Sequence, residues 1–161
     1  MKKFTFFGIK FIDGNFKSIK ILIDKGGLLV LPAAPALLNI KTDKKYHKAL
    51  KNADIALFDS GYFCLLLKIL KFINVKKFSG YKFIKKILND KNLKNKSFIF
   101  VDPNKQESIQ NKKYLVSLKF KNSYHYIAPI YNMKSIQDRT LLKIINKKKP
   151  KFIVINLGGN T

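Results

Sequence analysis

Residues 53–63 read ADIALFDSGYF, and the group most able to do chemistry lies in their middle. The apolar run Ile55 to Phe58 ends in Asp59, and Ser60 and Gly61 follow. The chain has nine acidic residues against 33 basic ones, so a carboxylate at the end of an apolar run is a rare placement. Ligands of open parallel α/β sheets bind beyond the carboxyl ends of the strands. A carboxylate there can take a proton from a hydroxyl nucleophile within hydrogen-bond reach. The same position suits an N-cap for a following helix, with Gly61 easing the turn, and position alone favours the cap. Asp102-Pro103-Asn104 has the same form and reads as turn chemistry. Gly158-Gly159 could bring backbone N–H groups to a phosphate, although a glycine pair is more often a turn. Leu31-Pro32-Ala33 and Pro129-Ile130-Tyr131-Asn132 complete the strand ends at which a ligand could sit.

The remaining reactive side chains are few. His47 lies among lysines and reads as solvated; His125 lies in or beside a strand and reads as structural. Cys64 reads as a small buried hydrophobe. Two His and one Cys make no metal-ligand spacing, and no D-x-D pair is present, so no metal is expected. Walker A, G-x-G-x-x-G and G-x-S-x-G patterns are also missing, and no cofactor is expected. The formal net charge of +24 admits nucleic acid, an anionic membrane or phosphate-bearing substrates. Arg139 is the only arginine, and arginine is the preferred residue for forked recognition of phosphates and guanines. No specific nucleic-acid partner is therefore expected, and most of the charge is assigned to a general bias toward Lys, Ile, Asn and Phe. Aromatics interleave with lysine in KKFSGYKF, as on a single-strand stacking surface, yet the phenylalanines fit core positions better.

The elements that must position these groups alternate. Strands are expected at Phe4 to Phe11, Leu28 to Leu31, Asp54 to Phe58, Ser97 to Val101, His125 to Ala128 and Phe152 to Asn156. Helices are expected at Phe16 to Lys25, from an Asp43 cap to Asn52, at Tyr62 to Ile73, Gly80 to Leu88, Gln106 to Leu118 and Ser135 to Lys147. In the Asp43 helix, Tyr46, Ala49 and Leu50 should face inward. Short, almost wholly apolar strands between helices predict a Rossmann-like α/β fold, a parallel sheet with helices on both faces. The length of 161 residues and a 47% hydrophobic composition suit a single domain. No signal peptide or transmembrane segment is expected. The last strand is followed by Leu157-Gly158-Gly159 and two more residues, where an α/β pattern would begin another helix, so the domain is expected to be incomplete at its C-terminus.

The stretch YHKALKNADIALFDSGYFCLLLKILKFINVKKFSGYKFIKKIL resembles the WecG/TagA/CpsF glycosyltransferases, glycosyltransferase family 26. The matching features are Ala53-Asp54, the apolar strand Ile55 to Phe58, Asp59 with Gly61, and Lys77 to Gly80 where the family has Arg-x-x-Gly. KPKFIVINLGG is similar to the family's Pro, apolar strand and Leu-Gly segment. The resemblance implies an inverting transferase without a metal. Such enzymes move N-acetylmannosamine or its uronic acid from a UDP-sugar donor to a polyprenyl-diphosphate-linked N-acetylglucosamine acceptor, in cell-surface polysaccharide synthesis. It implies Asp59 as general base, which raises that role above the cap. It implies a substrate-binding rim of Pro32, Ala33, Ser60, Gly61, Lys77, Gly80, Tyr131, Asn132, Gly158 and Gly159. The implied location is cytoplasmic and peripheral on the inner face of the membrane. The chain departs from the family in three places. Leu31-Pro32-Ala33 replaces a Thr-x-Asn, Lys77 replaces an arginine and loses its fork, and Ser60 separates Asp59 from Gly61. A family Gln-Glu pair would fall beyond Thr161.

Overall fold

The computed structural model describes residues 1–131 and 137–157. The chain divides into two compact units, Met1–Lys85 and Lys86–Thr161, each described by itself. Both are mixed α/β with parallel strands, as the alternation of elements predicts.

The first unit opens with a hairpin where one long strand was expected. Strands β1 (Lys2–Phe6) and β2 (Ile9–Asp13) pair antiparallel, with Phe6 opposite Ile9. That register leaves Phe7 and Gly8 as a two-residue turn with φ of 55° and 74°. Such turns need positive φ at both central residues. Glycine meets that need freely, whereas Phe7 is held there against its preference by the strand pairing on either side. With no Asn-Gly or Asp-Gly signal, the turn is hidden inside an apolar run.

Beyond the hairpin the sheet is parallel. Strands β3 (Leu29–Val30) and β4 (Ile55–Leu57) pair with Leu29 opposite Ile55, and β2 lies on the other side of β4 with Phe11 opposite Ala56. The order is β1-β2-β4-β3. Every residue of β4 is buried, which is why its sequence does not alternate. Parallel pairing brings the ends of β2, β3 and β4 to one edge, and with them Asp13, Leu31 and Asp59.

The helices are set by local caps. Asn15 caps α1 (Phe16–Asp24) through Ser18 N, and Asp43 caps α3 (Lys44–Lys51) through Tyr46 N. Helix α2 (Ala34–Leu38) has Pro35 in its first turn. Helices α4 (Gly61–Lys71) and α5 (Gly80–Asn89) follow. In α3, Leu50 is buried and Tyr46 half-buried, but Ala49 is exposed, contrary to expectation. The Ala53-Asp54 pair also has a structural duty. Asp54 Oδ2 accepts the Leu28 N–H at 2.7 Å and pins the start of β3 beside β4. Gly27, at φ 109°, passes so close that a Cβ would lie 2.7 Å from that oxygen. The core is aromatic: Phe11 and Phe58 stack at 4.7 Å, and Phe63 meets Phe6 edge-on at 5.7 Å. Fully burying each such ring contributes roughly 1.5–3 kcal/mol.

In the second unit β5 (Phe98–Asp102) is central and wholly buried, between β6 (Ser123–Ile127) and β7 (Phe152–Ile155), all parallel. Asn104 caps α6 (Lys105–Ser117) and Asp138 caps α7 (Arg139–Lys148). The helix expected from Ser135 is seen from Arg139; residues 135–136 lie outside the described residues. Phe98 stacks on Phe152 at 4.8 Å and meets Phe120 edge-on at 5.3 Å, so these phenylalanines build core as expected.

Candidate active site

Asp59 sits just past β4, half-buried, and does not cap the helix that follows it. Ser60 does that, its Oγ accepting the Phe63 N–H at 3.0 Å. Asp59 Oδ1 instead accepts the N–H of Gly80, the first residue of α5, at 2.9 Å. Oδ1 thus sits at the partially positive start of α5. The segment leading into α5 is tied across the sheet edge at two further points. Phe78 N donates to the Phe58 carbonyl at 2.7 Å, and Lys76 N reaches Asp13 Oδ1 at 3.4 Å.

These ties place Lys77 over Gly61. A Cβ on Gly61 would lie 3.6 Å from the Lys77 ammonium and 3.5 Å from its Cδ. A Cβ on Gly80 would lie 3.4 Å from Asp59 Oδ2 and 3.7 Å from Leu31 Cδ2. Asp59, Gly61, Lys77, Gly80 and Leu31 therefore share one locality. Of the neighbouring pair, Pro32 is buried and Ala33 exposed, where it begins α2 without a side-chain cap. The half-buried Cys64 reports the same charges. Burial pushes its thiol above the usual range, Lys77 pulls it down, and Asp13 and Asp59 raise it. It packs against the core as a thiol, in keeping with its reading as a hydrophobe.

Asp13 was missed. With Gly14 after it, it reads as a turn, and the signal that could have found it is the one that found Asp59: an acid at the end of an apolar strand. Dividing the first strand at Phe7-Gly8 would have shown that β2 ends at Asp13. His47, read as solvated, is half-buried, and its Nε2–H donates to the Phe7 carbonyl at 2.6 Å. It thereby braces the strained hairpin turn.

The second unit holds a different acid. Asp102 is fully buried, and the helix that follows is capped by Asn104 instead. Oδ2 pairs with His125 Nδ1 at 2.6 Å; Oδ1 accepts from Asn111 Nδ2 at 2.8 Å and Asn156 Nδ2 at 3.1 Å. Burial would raise its carboxyl, but the hydrogen bonds from His125, Asn156 and Asn111 outweigh burial and hold it below the ordinary value. His125 Nδ1 must carry the proton in that bond. Its side chain is 1% exposed, and its ring lies nearly parallel to Phe100 at 5.2 Å. Its Nε2 is buried without a partner among the described residues. A groove of roughly 240 Å³ opens at this unit's strand ends, lined by Pro103, Pro129, Tyr131 and Leu157 among others. Beside it Asp138 Oδ2 accepts the hydroxyls of Tyr126 and Tyr131, each at 2.8 Å. Burial, then the Asp138 carboxylate, pushes both phenols up to about 12. The expected contributors Asn132, Gly158 and Gly159 lie outside the described residues.

Against known families, the profile of the Glycosyl transferase WecG/TagA/CpsF family matches residues 5–161. The chain belongs to that family. Among curated proteins none matches the chain. For a WecG/TagA/CpsF transferase, the locality of Asp59, Lys77 and Gly80 lies where an α/β sheet presents ligands, beyond the carboxyl ends of parallel strands. Glycosyl transfer needs an acceptor hydroxyl made nucleophilic and a leaving group whose negative charge is met. A fixed carboxylate suits the first need and a nearby ammonium the second. Among the described residues no helix is long and apolar enough to cross a membrane.

Proposed function

We propose that this transferase moves N-acetylmannosamine or its uronic acid from a UDP-sugar to a polyprenyl-diphosphate-linked N-acetylglucosamine, in cell-surface polysaccharide synthesis. Asp59 takes the acceptor hydroxyl proton. The oxygen attacks the anomeric carbon from the face opposite UDP. The bond between that carbon and the diphosphate oxygen breaks, its electron pair leaves with UDP, and the anomeric centre inverts. Asp59 Oδ1 is held by Gly80 N–H, so Oδ2 is the oxygen that receives the proton. Lys77 meets the charge of a diphosphate. Pro32, Ala33, Ser60 and Gly61 form the rim in this unit; Tyr131, Asn132, Gly158 and Gly159 are assigned to substrate as well.

The observation that carries this reading is the Asp59 carboxylate, set at the strand edge by the 2.9 Å bond from Gly80. The experiment is UDP release from UDP-N-acetylmannosamine with a short-chain prenyl-diphosphate N-acetylglucosamine acceptor. Asp59→Asn should lower turnover by about 10²–10⁴-fold. Turnover equal to wild type would remove Asp59 from the chemistry.

Two observations favour a second reading, a basic module that binds anionic polymer without chemistry. Leu31-Pro32-Ala33 offers no polar side chain where the family pattern has two, and the net charge is +24. That module would bind less tightly as salt rises and show no sugar preference. Saturable binding of one UDP-sugar at ~0.15 M ionic strength would rule it out.

A further inference from the structure

Four consecutive residues, Ala128 to Tyr131, make most of the lining of the groove at the second unit's strand ends. They leave β6, which ends at Ile127. At the start of this wall the Ala128 N–H donates to the Asp102 carbonyl at 2.9 Å. Pro129 has no N–H with which to tie it further, and Ile130 is fully exposed. At the other end the tie is made by a side chain: the Tyr131 hydroxyl donates to Asp138 Oδ2 at 2.8 Å. The same oxygen accepts the hydroxyl of Tyr126, which belongs to β6 itself, at 2.8 Å. One carboxylate oxygen therefore joins the end of the wall to the strand from which the wall departs.

Asp138 also caps α7, with Oδ1 accepting the Leu141 N–H at 2.8 Å. A cap needs one acceptor, and Ser or Asn supplies it as well as Asp does. Holding two phenols on a second oxygen while the first one caps takes a carboxylate. Serine has a single oxygen, and the second polar atom of asparagine is an amide that donates. The residue type thus exceeds what the helix requires. Burial would raise the Asp138 carboxyl, but the Leu141 N–H and the two phenols outweigh burial and hold it below the ordinary value. Both of its oxygens are already engaged, which argues against direct contact with a substrate.

We propose that Asp138 is a positioning residue for this groove: it fixes Tyr131, and with it the Ala128 to Tyr131 wall, and acts on a substrate only through them. The Tyr131 hydroxyl proton is committed to Asp138 and is not offered to the substrate. The inference deepens the proposed function, which assigns Tyr131 to substrate. It rests on that reading only for the choice of UDP as probe, since the wall itself is measured without a ligand.

The experiment compares the full chain with Asp138→Ser, which keeps a capping oxygen, and with Tyr131→Phe, which keeps the ring and removes only the tie. Amide hydrogen exchange and the ultraviolet titration of tyrosine are read without ligand, and UDP binding is read by calorimetry. In Asp138→Ser, exchange at Ala128, Ile130 and Tyr131 should quicken while α7 stays protected. The two phenols that ionise near 12 in the wild type should fall toward about 10. UDP binding should weaken by about tenfold, with KM for the UDP-sugar raised and kcat unchanged. Tyr131→Phe should bind UDP as weakly, and the double variant no more weakly than either, because both act through one contact. Unchanged exchange and titration in Asp138→Ser would reduce Asp138 to a helix cap and overturn the proposal. Additive losses in the double variant, or a fall in kcat at constant KM, would also overturn it, by giving Asp138 a route to the substrate that bypasses Tyr131. If Asp138→Ser loses α7 protection, Tyr131→Phe decides: faster exchange along the wall supports the proposal, and wild-type exchange overturns it. Failure of the wild type to bind UDP would remove the proposed donor, and exchange and titration would still decide Asp138 on the same criteria.

Discussion

Two of the aspartates that end strands of this protein do opposite things. Asp59, at the end of β4, is half-buried and, among the described residues, accepts one hydrogen bond, from Gly80 N. Asp102, at the end of β5, is fully buried and accepts three, from His125, Asn111 and Asn156. A carboxylate whose acceptor sites are taken by the protein is structural, because drawing it into another bond means breaking one already made. One that is oriented by a single N–H but still open is ready for a substrate. The lesson is that a chemically suggestive residue must be judged by its unused hydrogen-bonding capacity, not by its place at a strand end.

Five predictions break or sharpen that contrast. The largest effect is on transfer: Asp59→Asn should lose about 10²–10⁴-fold in rate while stability moves by no more than about 0.5 kcal/mol, read by denaturant midpoint. A large loss of stability would make Asp59 structural like its counterpart. Next, Asp102→Ala should cost about 3 kcal/mol, because His125 Nδ1 and both Asn amides lose their acceptor in the interior. A cost below about 1 kcal/mol would mean that the buried network contributes little. Gly27→Ala tests the other acid of the first unit, Asp54. A positive φ and a Cβ crowding Asp54 Oδ2 should together cost about 1–3 kcal/mol, measured by thermal melt; a neutral result would show that β3 shifts freely.

The smallest effects are in pH. The Asp102 carboxyl is depressed in the folded state, so its contribution is fully present above the unfolded value of about 3.9. That contribution is lost as pH falls through the lower folded value. Acid titration of stability should be shallower in Asp102→Asn, and an unchanged slope would contradict the network. At the alkaline end the signs reverse. Tyr126 and Tyr131 titrate near 12 when folded, so the stability they contribute is complete below about 10 and disappears as pH rises through 12. Replacing both by Phe should flatten that loss, and an unaltered alkaline limb would remove the Asp138 contacts as its cause.

Much of the fold is legible along the chain because its signals are local. Asp43 three residues before Tyr46 is enough to start α3. The uninterrupted apolar runs Ile55 to Phe58 and Phe98 to Val101 announce strands buried on both faces. The Phe7-Gly8 turn is illegible for the converse reason. Its first residue resists the conformation it adopts, and only the paired strands impose it. Asp59 was found because its strand is short, apolar and uninterrupted; Asp13 was lost because the preceding turn was.

By itself, then, the sequence determined the alternation of strands and helices, the Asp43 cap of α3, and the presence of an acid at the end of β4. Each follows from contacts within one turn or one strand. The tertiary structure alone decided what that acid touches. Gly80 lies 21 residues beyond Asp59, and His125 lies 23 beyond Asp102. Those partners are chosen by the parallel register and by how the following segment crosses the strand ends. No local pattern encodes them, because the chain between must close its loops before either hydrogen bond can form.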